Sequence, residues 1–289
     1  MPYRRPMRLT RHIRVGLIGA AALAIAAVGA TTTGRPPVDR LQLTHGVPGT
    51  AHPPINTAKV YRWGNAAWND GFIGPLSKNW DVSHGAPTIQ NQHGQLTLNG
   101  PGGLNAKTLW ASYPLTAHQY GRWDFSMRSK QYTFGATPYT AVLELVPSDN
   151  SRIDCGRQNL ILAKFPLGAK AVTGELRNAG KRWTMTNPHE VFSNEFHTYA
   201  LEVTAGHISW FMEGKVLMTV RNPAALSGET YKIKIFLTAA PSGQRTNRGR
   251  LQFDWARYYT LARPNAKSIS APEGEISDLV TLCGSTAKG

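Results

Sequence analysis

The stretch Arg122-Trp-Asp-Phe-Ser-Met-Arg-Ser-Lys130 puts Trp123, Phe125 and Met127 on one side and Asp124, Ser126 and Arg128 on the other. A period of two is the mark of a strand with one face buried. The pattern recurs along the chain. Gln95-Leu-Thr-Leu-Asn99 alternates, Tyr199, Leu201 and Val203 share a face, and so do Ile208, Trp210 and Met212. Tyr231, Ile233, Ile235 and Leu237 alternate with Lys232 and Lys234, and Leu251 to Tyr259 closes the series. Gly, Pro, Asn and Ser separate the runs, and Met212-Glu-Gly-Lys215 reads as a tight hairpin turn in which Gly214 supplies positive φ. From Lys59 onward no 3.6-residue period is sustained. Residues 58–262 are therefore expected to fold as one all-β domain, a two-sheet antiparallel β-sandwich.

The N-terminus has a different character. Arg4, Arg5, Arg8, Arg11 and Arg14 precede the apolar run Val15–Ala30, which ends in Val28-Gly-Ala30. A basic region, a short Ala- and Gly-rich apolar core and small residues at its end make residues 1–30 a bacterial-type secretory signal peptide. An uncleaved anchor is the competing reading, and it would be the chain's only link to a membrane. Residues 31–57, rich in Thr, Pro and Gly, read as a linker. Export to the cell envelope or beyond makes the chain's two cysteines, Cys155 and Cys283, candidates for a disulfide that would tether the tail, residues 263–289. Two separate thiols are the alternative. The net charge of +15 reads as solvated surface charge, because no zinc-finger spacing, RNP-like motif or basic helix accompanies it. No nucleic-acid partner is expected. The His and Cys residues form no ligand set, so neither metal nor cofactor is expected. His118 and His197 have no nucleophile at motif spacing.

The segment Leu143–Lys164 carries the chemical question. Its centre is Arg152-Ile-Asp154-Cys-Gly-Arg157. Several runs around it resemble family 16 glycoside hydrolases in kind and in order: Trp68-Asn-Asp-Gly-Phe72 with Trp80, Tyr120-Gly-Arg-Trp123, Phe196–Val203 followed by Ile208–Phe211 and Glu213-Gly214, and Phe253-Asp-Trp-Ala-Arg257. The resemblance covers residues 58–262. It implies a concanavalin A-like jelly roll with a cleft across one sheet that binds a β-linked polysaccharide.

In that family an inner strand carries Glu-x-Asp-x-x-Glu, the outer two carboxylates doing the chemistry. The matching frame here reads Arg152-x-Asp154-x-x-Arg157. Arginine stays protonated and can be neither nucleophile nor proton donor. The resemblance thus implies a polysaccharide-binding protein without hydrolysis, its groove made electropositive and partial to acidic glycans by the two arginines. Glu144 shares a face with Thr140 and Val142 and could stand beside Asp154. That pair would be the catalytic candidate if hydrolysis or transglycosylation survives. An ion pair of Glu144 with Arg152 or Arg157, which would hold its pKa down, is the expected alternative. A third reading is a structural envelope protein with a filled cleft. Trp110, Tyr132, Tyr139 and Trp183, with Arg152 and Arg157, are the candidate carbohydrate contacts, because aromatic faces stack on sugar rings and guanidinium groups donate to hydroxyls or uronates.

Overall fold

The computed structural model describes residues 55–149, 158–188, 194–264 and 271–279. The signal peptide, nearly all of the linker, the Arg152–Arg157 frame and both cysteines lie outside the described residues.

Two antiparallel sheets of eight strands each build the domain. The first runs in the order β14 (Lys215–Val220), β13 (Ile208–Met212), β12 (His197–Val203), β7 (Gly121–Gln131), β17 (Gly249–Tyr259), β4 (Leu96–Gly100) and β3 (Ile89–Asn91). Its eighth strand, β1 (Trp68–Asp70), pairs with β17 off that path. The second runs β18 (Glu275–Asp278), β11 (Lys181–Pro188), β10 (Ala171–Asn178), β9 (Asn159–Pro166), β8 (Thr140–Pro147), β15 (Tyr231–Thr238), β6 (Leu109–His118) and β2 (Asp81–Val82). A two-stranded ribbon, β5 (Gly103–Leu104) with β16 (Arg245–Thr246), stands apart.

The alternation read from the sequence is what the sandwich buries. Trp123, Phe125 and Met127 from β7, Leu201 and Val203 from β12, and Ile233, Ile235 and Leu237 from β15 join one core cluster, each nearly or fully inaccessible. Burying a large apolar side chain contributes about 1.5–3 kcal/mol, so one-residue slips in these strands are strongly disfavoured. The turn between β13 and β14 uses positive φ at both central residues, Glu213 at 50° and Gly214 at 68°. That is the two-residue hairpin whose twist matches the strands.

The folded unit begins before residue 58. Asn56 caps a single helical turn, α1 (Thr57–Val60), by accepting from the Lys59 amide. Ala58 and Trp63 then pack on Ala200, Phe211 and Tyr259, on the outer face of the first sheet. Glu213 fastens this strap: its carboxylate accepts from the Thr198 amide at 2.7 Å and from the Ile55 amide at 3.1 Å. Replacing Glu213 by Ala should lower the unfolding free energy by about 1.5–3 kcal/mol, the usual range for hydrogen bonds to a charged group. Alanine meets the same backbone cost at positive φ, so the loss isolates the carboxylate. Urea titration checks it, and a change below a few tenths of a kcal/mol would mean that the strap is not held by this residue. At the other end the folded unit continues past residue 262, because Glu275–Asp278 adds an edge strand to β11 with Ile276 opposite Trp183.

Candidate functional site

The outer face of the second sheet is set by register. Lys234 on β15 pairs with Glu144 on β8, Glu144 with Ile161 on β9, Ile161 with Glu175 on β10, and Glu175 with Thr184 on β11. These five residues form one row across five strands. A second row beside it runs Trp110, Phe236, Val142, Lys164, Thr173 and Thr186. All but the last, which is exposed, are half-buried.

A β-bulge shapes the middle of this face. Between Ile161 and Lys164 strand β9 advances three residues while β10 advances two, from Glu175 to Thr173. The extra residue returns Lys164 to the face that Asn159 and Ile161 already share. Positions i, i+2 and i+5 of β9 therefore point the same way, and they are Asn159, Ile161 and Lys164.

Two carboxylates flank Ile161. Glu144 is 5 % exposed and accepts a hydrogen bond from Asn159 Nδ2 at 3.1 Å. Burial raises its pKa above the usual carboxylate range, against the Asn159 hydrogen bond and the charges of Lys234, Arg177 and Lys164. Desolvation outweighs these three cations, and the expected pairing with Arg152 or Arg157 lies outside the described residues. Glu175, 3 % exposed, is ion-paired with Arg177 Nε. Sequence reasoning passed over Glu175. Its signal was nonetheless present: Val172, Gly174 and Leu176 point inward, which leaves Thr173, Glu175 and Arg177 outward.

The aromatic candidates separate. Trp110 lies on the outer face of β6, opposite Phe236, with Lys234 Nζ at 5.7 Å from its ring centroid and 4.8 Å from that of Phe236. Together the two rings make an aromatic shelf beside the carboxylate row. Tyr139 and Trp183, by contrast, are core residues, 0 % and 1 % exposed. The Tyr139 ring covers Gly100, where a Cβ would stand 2.5 Å from it. Trp183 points inward from β11 with Leu176 of β10 opposite. Neither ring is placed to stack on a sugar, because strand parity turns both into the sandwich. Tyr132 continues the outward parity of β7 and so belongs to the first sheet, the opposite side of the domain from Glu144. Arg152, Asp154, Arg157, Cys155 and Cys283 lie outside the described residues. Among the described residues no group of three or more His, Cys, Asp or Glu side chains could hold a metal ion.

Comparison with known proteins points to the fold. No family model matches the sequence, and no curated protein matches it. Among solved structures, the catalytic domain of a laminarinase, an endo-1,3-β-glucanase from Thermotoga petrophila, superposes with a TM-score of 0.56 at 11% identity, over 68% of this chain and 97% of that one. A structure reported for endo-acting O-glycanases of the human gut microbiota that initiate mucin breakdown gives 0.56 at 14%, over 68% and 100%. The laminarinase of Rhodothermus marinus gives 0.51 at 15%, over 68% and 97%. The domain thus has a jelly-roll fold like that of the family 16 laminarinases.

Proposed function

We propose that this chain is an exported polysaccharide-binding protein of the family 16 type that does not cleave its ligand by the retaining route. The observation that carries the reading is the composition of the outward row on β9. A retaining glycosidase needs two carboxyl groups ~5–5.5 Å apart on one face. If the frame falls where the sequence places it, it reads Arg152, Asp154, Arg157. If it falls on the bulged strand, it reads Asn159, Ile161, Lys164. Neither placement supplies the pair. The binding surface remains: the Trp110–Phe236 shelf offers apolar ring faces to a pyranose, and the half-buried Lys164 and Arg177 offer donors to its hydroxyls.

The test is a glycan screen of the secreted chain with a reducing-sugar assay on each ligand found. Binding without sugar release is expected. Trp110→Ala should weaken binding by about 1–1.5 kcal/mol, roughly five- to tenfold, with the melting temperature unchanged. Binding that is indifferent to Trp110, or no glycan ligand at all, would favour the reading of a filled, structural cleft.

One observation favours a second reading, an active hydrolase with displaced carboxylates. Glu144, raised by burial, has the character of a general acid, and Glu175, ion-paired with Arg177, is the second carboxylate of the same row. Two strands apart, their backbones are separated by roughly 9.5 Å, and inverting glycosidases hold their carboxyls about 6.5–9.5 Å apart. Sugar release abolished by both Glu144→Gln and Glu175→Gln, in proteins of unchanged stability, would establish that reading in place of the first.

A further inference from the structure

The first sheet carries a feature unrelated to the Glu144 row. Where β7 ends, its outward parity passes from Arg128 and Lys130 to Tyr132, and the Tyr132 amide donates to the Arg248 carbonyl at 2.8 Å. Three cations converge on this one ring: Arg248 Cζ at 5.1 Å from its centroid, Lys130 Nζ at 5.3 Å and Arg250 Cζ at 5.6 Å. The ring forms part of a groove of about 660 Å³ whose lining also includes Thr88, Gln90, Gln92 and Asn99. Among the described residues no Asp or Glu lines it. Arg250 Nε is buried there without a hydrogen-bond partner among the described residues. Two residues beyond Tyr132, Phe134 stands 79% exposed.

The energetics of this cluster favour an incoming anion. The three cations lie within about a Debye length of one another (~10 Å at 0.1 M salt), so they repel. The ring quadrupole attracts each of them but cancels none of the charge. The unpartnered guanidinium donor is a further cost, that of a hydrogen bond to a charged group left unmade. A carboxylate or sulfate would relieve both, since the arginine fork matches either in two-point geometry. The side-chain amides in the groove lining are hydrogen-bonding partners for hydroxyls rather than for an apolar surface. The volume fits a few sugar residues, inside the usual range for ligand pockets.

We infer that this groove is a second glycan site, on the opposite sheet from Trp110 and Glu144, and that it takes a segment of an acidic polysaccharide with its anionic groups on Arg248 and Arg250. It does not depend on how the Glu144 face is used.

The experiment is calorimetric titration of the folded chain with hexagalacturonate, its uncharged methyl ester, a sulfated hexasaccharide and the single-stranded oligonucleotide (dT)10. An acidic oligosaccharide should bind, weaken as salt rises from 50 to 300 mM, and lose at least tenfold in affinity in the methyl ester. Whichever of the uronate and the sulfate binds more tightly identifies the anionic group. Arg248 is exposed, so Arg248→Gln and Arg248→Glu should keep the native melting temperature and each cost at least tenfold in that affinity. Trp110→Ala should leave it intact. The inference is overturned if neither acidic oligosaccharide binds, if binding survives Arg248→Glu, if Trp110→Ala removes it, or if (dT)10 binds equally well, which would mark an unselective polyanion surface.

Discussion

Arg122→Ala is expected to lower the stability of the domain by about 3–5 kcal/mol, the cost of breaking a buried ion pair from one side. Arg122 lies on the outer face of β7 under the N-terminal strap, and its side chain is 2 % exposed. Its Nε donates to Glu202 Oε2 at 2.5 Å, its Nη1 donates to the Thr260 carbonyl at 3.0 Å, and the guanidinium lies over the Trp63 ring at 5.4 Å. Removing it leaves Glu202, 1 % exposed, without its guanidinium partner, beside His207 Nε2 at 2.8 Å. For a domain of this size the loss corresponds to a fall in Tm of roughly 10 °C. The double variant Arg122→Met/Glu202→Leu should recover much of that loss, because it removes both charges and keeps the volume. Calorimetry of the three proteins decides the matter. A single-variant loss below 1 kcal/mol would show that solvent already reaches the pair.

The second large effect is a dependence on pH. Asp124, the next outward residue of β7 after Arg122, is 0 % exposed. Burial pushes its carboxyl up to about 7, against the opposing charge of Arg257 and backbone amides including that of Ala58. Among the described residues neither of its oxygens has a well-formed hydrogen bond. A group whose folded pKa lies above its unfolded value binds protons more tightly in the native state. The contribution of Asp124 to stability is therefore fully present below about pH 4, where both states are protonated, and is lost as pH rises toward 7. Three pKa units correspond to about 4 kcal/mol. Asp124→Asn, which cannot ionise, should lack this decline. Relative to the parent it should gain stability on the order of 4 kcal/mol between pH 4 and pH 8, read by urea unfolding at each pH. A difference that stays flat across that range would mean that Asp124 is not desolvated in the native state.

These two residues show what lies behind the strap. By alternation Arg122, Asp124 and Ser126 belong to a solvent face, and the sequence places the beginning of the domain at residue 58. In the structure the residues from Ile55 to Trp63 cover that face, and outward-pointing polar groups become buried ones. Nothing local to β7 announces this. The cover comes from more than fifty residues earlier in the chain.

The strands themselves were legible. Trp123, Phe125 and Met127, or Ile233, Ile235 and Leu237, share a face because successive side chains in an extended chain point to opposite sides, and that geometry is local. The Glu213-Gly214 turn was legible for the same reason, although the sequence credited positive φ to Gly214 alone and Glu213 adopts it too. Alternation also made Glu144 a companion of Val142 and Thr140.

Which strands lie side by side, and in what register, belongs to the tertiary structure. Glu144, Ile161 and Glu175 become neighbours through two pairings and a bulge that no single segment encodes. Tyr139 and Trp183 carry the same side chain chemistry as any sugar-stacking ring, yet parity within strands that face the other sheet buries them. Tyr132 was grouped with them and instead gathers Lys130 of β7, Arg250 of β17 and Arg248 just before β17, on the opposite sheet. The net charge of +15 is a property of the sequence and reads as dispersed. Only the pairing of β7 with β17 brings part of it to one ring, because an antiparallel register sets residues more than a hundred positions apart side by side.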